Sequence, residues 1–116
     1  MIIQELYDKI TLAQPCHKAD FLAHFDTSVK SILARYGAKY VLIPGAVYVR
    51  PAGIEDEAPV YEEYMGAIYD NILFLLTGNG DRKTDYVAEA EDAYKTVWRS
   101  LNRGKKFRAA GYTPIR

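Results

Sequence analysis

Helical periodicity is the feature that most limits what this chain can fold into. Ile3, Leu6, Tyr7 and Ile10 recur at i, i+3, i+4 and i+7, the spacing that lines one helical face. This predicts a first helix from about Ile2 to Ala13, closed before Pro15 because the residue preceding a proline disfavours helix. A second helix is expected from Ala19 or Asp20, with Leu22, Phe25, Val29, Ile32, Leu33 and Tyr36 as its buried face. Asp20 suits its first turn, and Gly37 supplies a left-handed residue after its end. Lys39–Ile43 and Ala46–Arg50 are rich in Val, Ile and Tyr and flank Pro44-Gly45. They read as two strands of a small ribbon, although Pro-Gly fits a type II turn better than the primed hairpin types. Tyr40 and Leu42 would lie on one face of the first strand, Val41 and Ile43 on the other. A lone two-stranded ribbon is marginal in water, so it must pack on the helices or be covered by another chain.

After a loop over Pro51–Pro59, a third helix is expected over Val60–Thr77. Glu62, Glu63, Gly66 and Asp70 make its polar stripe, and from Ile72 onward it is apolar all round, as in a helix buried on every side. Phe74 continues the polar stripe and would be exposed unless a partner or loop covers it. Gly78-Asn79-Gly80-Asp81 turns the chain. A fourth helix over Thr84–Leu101 places Val87, Ala90, Tyr94, Val97, Trp98 and Leu101 on one face, with Glu91 and Lys95 as a favourable i, i+4 pair. Asn102-Arg103-Gly104 ends it, and Lys105–Arg116 has no helical period. The expected fold is therefore mainly α: a four-helix domain over 1–104, a small two-stranded β-ribbon between helices two and three, and an extended basic arm over 105–116.

The 116 residues suit one domain. Half the chain (49%) is hydrophobic, which excludes disordered and low-complexity classes. No apolar run approaches the ~20 residues of a membrane span. Met1-Ile2-Ile3-Gln4-Glu5 lacks the basic start of a secretory leader. One cysteine cannot form an intrachain disulfide. These features lead one to expect an intracellular or particle-bound soluble domain. Formal charge is zero but unevenly spread. Residues 1–50 carry a net +2, residues 51–92 a net −9, and residues 93–116 a net +7 with no acidic side chain. Acidic residues early and basic ones late in the last helix complement its dipole. That account does not reach Lys105, Lys106, Arg108 and Arg116, nor the loop acids Glu55, Asp56 and Glu57. A neutral molecule so divided suits head-to-tail contact between copies, which closes into a ring or continues as a filament, with charge fixing register. Binding of nucleic acid by the basic tail is the rival, and the acidic portion weighs against it because it would repel phosphate. Phe107, Tyr112 and Ile115 interleave the tail's cations. Either an arm that orders on a partner or a frayed terminus accounts for this.

Catalytic residue types are scarce. Cys16, His17, Asp20 and His24 could be grouped as a metal site, but no second Cys/His pair supports them; a catalytic Cys16–His pair needs an enclosed, activated thiolate. Glu62 and Glu63 diverge by about 100° on a helix and cannot serve as paired carboxylates. Gly78-Asn79-Gly80-Asp81 follows a helix and lacks the Lys-Ser/Thr of a phosphate loop. No enzymatic role, cofactor or metal is expected. Ten tyrosines, among them Tyr48, supply amphipathic rings suited to interfaces, whereas Trp98 sits among core neighbours.

The order of elements, the stretch Tyr61-Glu62-Glu63-Tyr64 through Ile72-Leu73-Phe74-Leu75-Leu76-Thr77-Gly78, and the Ala90…Ala93-Tyr94…Val97-Trp98 pattern resemble the head–tail connector (adaptor) proteins of tailed bacteriophages. The resemblance implies a virion neck protein made in the host cytoplasm: a ring, commonly of twelve copies, beneath the portal protein. Such a ring extends the DNA channel without sequence-specific binding and docks the next neck, stopper or tail component. It also implies that Lys105–Arg116 reaches the portal or a neighbouring subunit. Glu55–Glu57 would suit a channel lining that repels phosphate. Candidate interface residues are Lys105, Lys106, Phe107, Arg108, Tyr112, Ile115, Arg116, Glu55, Asp56, Glu57, Phe74 and Tyr48. A small helical regulatory or nucleic-acid-binding protein using its basic tail is the alternative.

Overall fold

The first periodic segment folds as helix α1 (Ile3–Ala13), with Ile3, Leu6 and Ile10 buried and the helix ending two residues before Pro15. The computed structural model describes residues 1–110, and side chains as far as Arg103. Helix α2 (Lys18–Tyr36) buries Phe21, Phe25, Val29 and Ile32, while Leu22, Leu33 and Tyr36 are half-buried. Its buried stripe is thus rotated toward Phe21, which packs edge-on against Tyr7 with ring centroids 5.1 Å apart.

The expected β-ribbon does not form. Ala38–Val41 is a single helical turn, α3, and the chain then runs extended. Gly37 has the positive φ expected of it, 86°, but with ψ at 152° it leads directly into α3 instead of closing a left-handed cap. The turn at Pro44-Gly45 is present: the Ala46 N–H donates to the Ile43 carbonyl at 3.0 Å and Gly45 has φ of 81°, as a type II turn requires. Its twist does not match that of a hairpin, and the two arms part. Leu42 instead makes an isolated antiparallel bridge with Val60, and Tyr48 is drawn to α2. A second isolated bridge joins Ile2 and Glu57.

The third helix also starts later than its periodicity suggests. Val60 and Tyr61 are extended, Glu62–Tyr64 forms a 3-10 turn, and α4 covers Met65–Thr77. This is the central helix, touching α1, α2 and α5. Tyr64, Ile68 and Ile72 are wholly buried in the core with Ile3, Leu6, Ile10, Phe25 and Ile32. Burying such side chains stabilises by roughly 1.5–3 kcal/mol each. The helix is not enclosed after Ile72, because Leu75 is exposed. Gly78, at φ 74° and ψ 10°, ends α4 in the left-handed conformation.

The last helix, α5 (Gly80–Ala110), is longer than expected at both ends. Asn79 starts it: its Oδ1 accepts the Asp81 N–H at 2.9 Å, a side-chain N-cap. Gly104 does not stop it, since one helical glycine costs only about 1 kcal/mol, and Asn102 bonds back to the Trp98 carbonyl at 2.9 Å instead of capping. The extended arm expected from Lys105 is therefore helical in its backbone through Ala110. Small residues at the contact, Ala67, Ala90 and Ala93, are buried between α4 and α5 and permit close approach. The result is an all-helical fold among the described residues, without a sheet.

Candidate interaction surfaces

Cys16 is half-buried against the core, and burial, then the charge of Asp20, push its thiol up from its ordinary value. That is opposite to an activated thiolate. His17 stands exposed at the start of α2 without a side-chain cap bond. Among the described residues, no three His, Cys, Asp or Glu side chains are grouped to hold a metal ion. No helix there is long and apolar enough to cross a membrane.

Buried polar groups tie helices together. Asn71 of α4 donates to the Ser28 Oγ of α2 at 2.8 Å, and Ser28 donates to the His24 carbonyl at 2.8 Å. Asp26 is buried yet accepts from the Tyr48 hydroxyl at 2.8 Å and pairs with Lys30 at 3.0 Å. Burial alone would raise its carboxyl; the bonds from Tyr48 and Lys30, with the charges of Lys30 and Arg50, hold it below the ordinary value. Burial, and then the bond to Asp26, raise the Tyr48 hydroxyl. Tyr48 thus spends its polar end within the chain.

Asp70, expected on a solvated stripe, is buried. Because α5 begins at Gly80, Arg82 reaches back over α4 and its guanidinium donates to Asp70 Oδ1 at 2.8 Å. Glu89, two turns further along the same face of α5, shares the same carboxylate neighbourhood. Its hydrogen bond with Asp70, then burial, then the charges of Asp70 and Asp85, raise it to about 7 against the opposing pull of Arg82. Like charges brought together in this way favour holding a proton.

Charge divides along α5. Glu89 and Asp92 meet Glu63 around a groove of about 290 Å³ floored by Gly66 and Ala67. No ion pair engages these three carboxylates among the described residues. Further along, Lys95, Arg99 and Arg103 follow at four-residue steps, which places them on one stripe. Lys95 pairs with Glu91 at 3.5 Å, whereas Arg99 and Arg103 have no ion-pair partner among the described residues. Trp98 (39% exposed), which flanks the stripe, and Leu101 (37%), which lies on the other side of the helix near Leu42 and Pro44, are not core, contrary to the sequence reading. Gly66 also borders a second, apolar groove of about 590 Å³ between α1 and α4, lined by Lys9, Leu12, Met65 and Tyr69. Leu12 there is 89% exposed.

Other expected interface residues fall as follows. Asp56 staples its own loop, accepting the Ala52 and Gly53 N–H groups at 2.9 and 3.2 Å, while Glu55 and Glu57 are exposed. Phe74 is half-buried, with the Lys83 ammonium 5.5 Å above its ring. The side chains of Lys105, Lys106, Phe107 and Arg108, and all of Tyr112, Ile115 and Arg116, lie outside the described residues. What sequence reasoning missed is Arg99 and Arg103 beside Trp98; the four-residue cation spacing next to the 94, 98, 101 apolar series was the available signal. Comparison with protein-family models, with curated proteins and with solved structures found no match.

Proposed function

We propose that this chain is a structural protein that assembles from copies of itself, acting as a head–tail connector in the neck of a tailed bacteriophage. In this reading it forms a ring beneath the portal protein, prolongs the DNA channel and offers a docking surface to the next neck or tail component. The observation that carries the proposal is the division of charge along one helix. Among the described residues, carboxylates without an ion-pair partner gather around the first half of α5 and guanidinium groups without one occupy the second. The helical order and aromatic placement that resemble the connector proteins add to it. The lost β-ribbon removes one of the interface signals in the sequence, although Val47 and Val49 of that segment are 79% and 73% exposed.

Imaging of assembled particles tests the assignment. Density for this chain at the portal–tail junction is the expected result. Particles whose neck is complete without it would remove the connector function.

A further inference from the structure

Taking self-assembly as its premise, we propose that the outward face of α5 around Trp98, Arg99 and Arg103 docks onto a second copy of this chain, across the ridge at Gly66. Trp98 enters the apolar α1–α4 groove of that copy, and the two arginines meet its Glu63, Glu89 and Asp92.

The occupant follows from complementarity of two kinds at matching positions. Gly66 borders both grooves, so an apolar hollow and a carboxylate-lined one lie side by side. The α5 face presents the same pair of properties with the opposite charge: an exposed indole, flanked by Arg99, beside cations that have no ion-pair partner among the described residues. Leu12 leaves the hollow uncovered within the protomer, and Lys9 at its rim offers a cation to an indole face. The contact must be intermolecular. Glu89 and Arg103 lie on one helix, about 21 Å apart at 1.5 Å per residue, and cannot meet in the same molecule. A surface that mates with a different surface of its neighbour is heterologous, and closes into a ring if the rotation permits.

Charge reversal in the full-length protein decides the matter, read by sedimentation velocity across concentration and salt. The Arg99→Glu/Arg103→Glu and Glu63→Lys/Asp92→Lys variants should each lose self-association by about tenfold or more, as reversed charges at a mated surface do. Mixing the two should restore association, because the untouched face of one meets the untouched face of the other; a folding defect would not be rescued by mixing. Milder Arg99→Gln/Arg103→Gln substitution should show a smaller loss in the same direction. Variants that associate as the wild type does would overturn this interface and leave self-assembly through another face standing. A wild type that stays monomeric to about 1 mM would overturn it too. So would salt-sensitive retention of duplex DNA, lost with the two arginines, in a chain that does not self-associate. The connector assignment is decided separately, by particle density.

Discussion

Tyr36 has the one buried side-chain polar atom without a hydrogen-bond partner among the described residues. Its ring is well used: it stacks on Tyr94 at 4.7 Å and tilts against Tyr64 at 6.4 Å, while Tyr40 meets Tyr94 edge-on at 5.4 Å. The hydroxyl gives up water and gains nothing, whereas the neighbouring Tyr64 donates to the Tyr40 carbonyl at 2.8 Å. A buried donor left unmade costs about 1–3 kcal/mol. Tyr36→Phe should therefore leave stability unchanged or raise it by about 1 kcal/mol in urea unfolding, while Tyr64→Phe should lower it. A clear loss in Tyr36→Phe would show that its hydroxyl has a partner in solution. Such differences between tyrosines are invisible in a sequence, because periodicity says which ring turns inward and not what its oxygen finds there.

At the scale of elements, the junction between α4 and α5 governs the rest. Gly78 and Asn79 occupy two adjacent backbone states: a left-handed residue that ends one helix, then a cap that starts the next. The sequence marks the turn plainly. It does not show which of the two glycines is outside a helix, and α5 starts at Gly80, about one turn before the expected Thr84. That turn carries Arg82, and with it the ion pair to Asp70. Replacing Asn79 by alanine should cost about 1 kcal/mol, with aspartate largely preserving the wild-type value; equal stability of all three in urea would show that the cap is idle. The ribbon failed for a related reason. Val, Ile and Tyr favour extended backbone, but pairing needs a partner at the right twist. Tyr48 found Asp26 instead.

The whole molecule is held at the contact of α4 with α5, where small side chains bring Asp70 and Glu89 together. In the folded state Glu89 is raised to about 7 from an ordinary 4.5. Its share of stability is therefore complete below about 4.5 and lost as pH rises through about 7. Glu89→Gln keeps a donor toward Asp70 and removes the titration. Relative to it, the wild type should weaken between those pH values. The variant should be more stable at pH 8 by about 1 kcal/mol, a modest figure because Glu89 is exposed and solvent screens the repulsion. Thermal melts of both proteins at pH 5 and pH 8 check this, and a pH-independent difference would remove the Asp70 contact as its cause. By itself the sequence determined the α1 core, the Phe25, Val29 and Ile32 part of the α2 face, the type II turn and the split of charge, since these depend on residue order, side-chain spacing and backbone preference over a few residues. Only the tertiary structure decided that Asp70 is buried, that Trp98 is not, and that Glu63 joins Glu89 and Asp92 around one groove while Arg99 and Arg103 have no ion-pair partner among the described residues. Those outcomes depend on which surface of a helix its neighbours cover, and a period of 3.6 residues does not record where a neighbour stops.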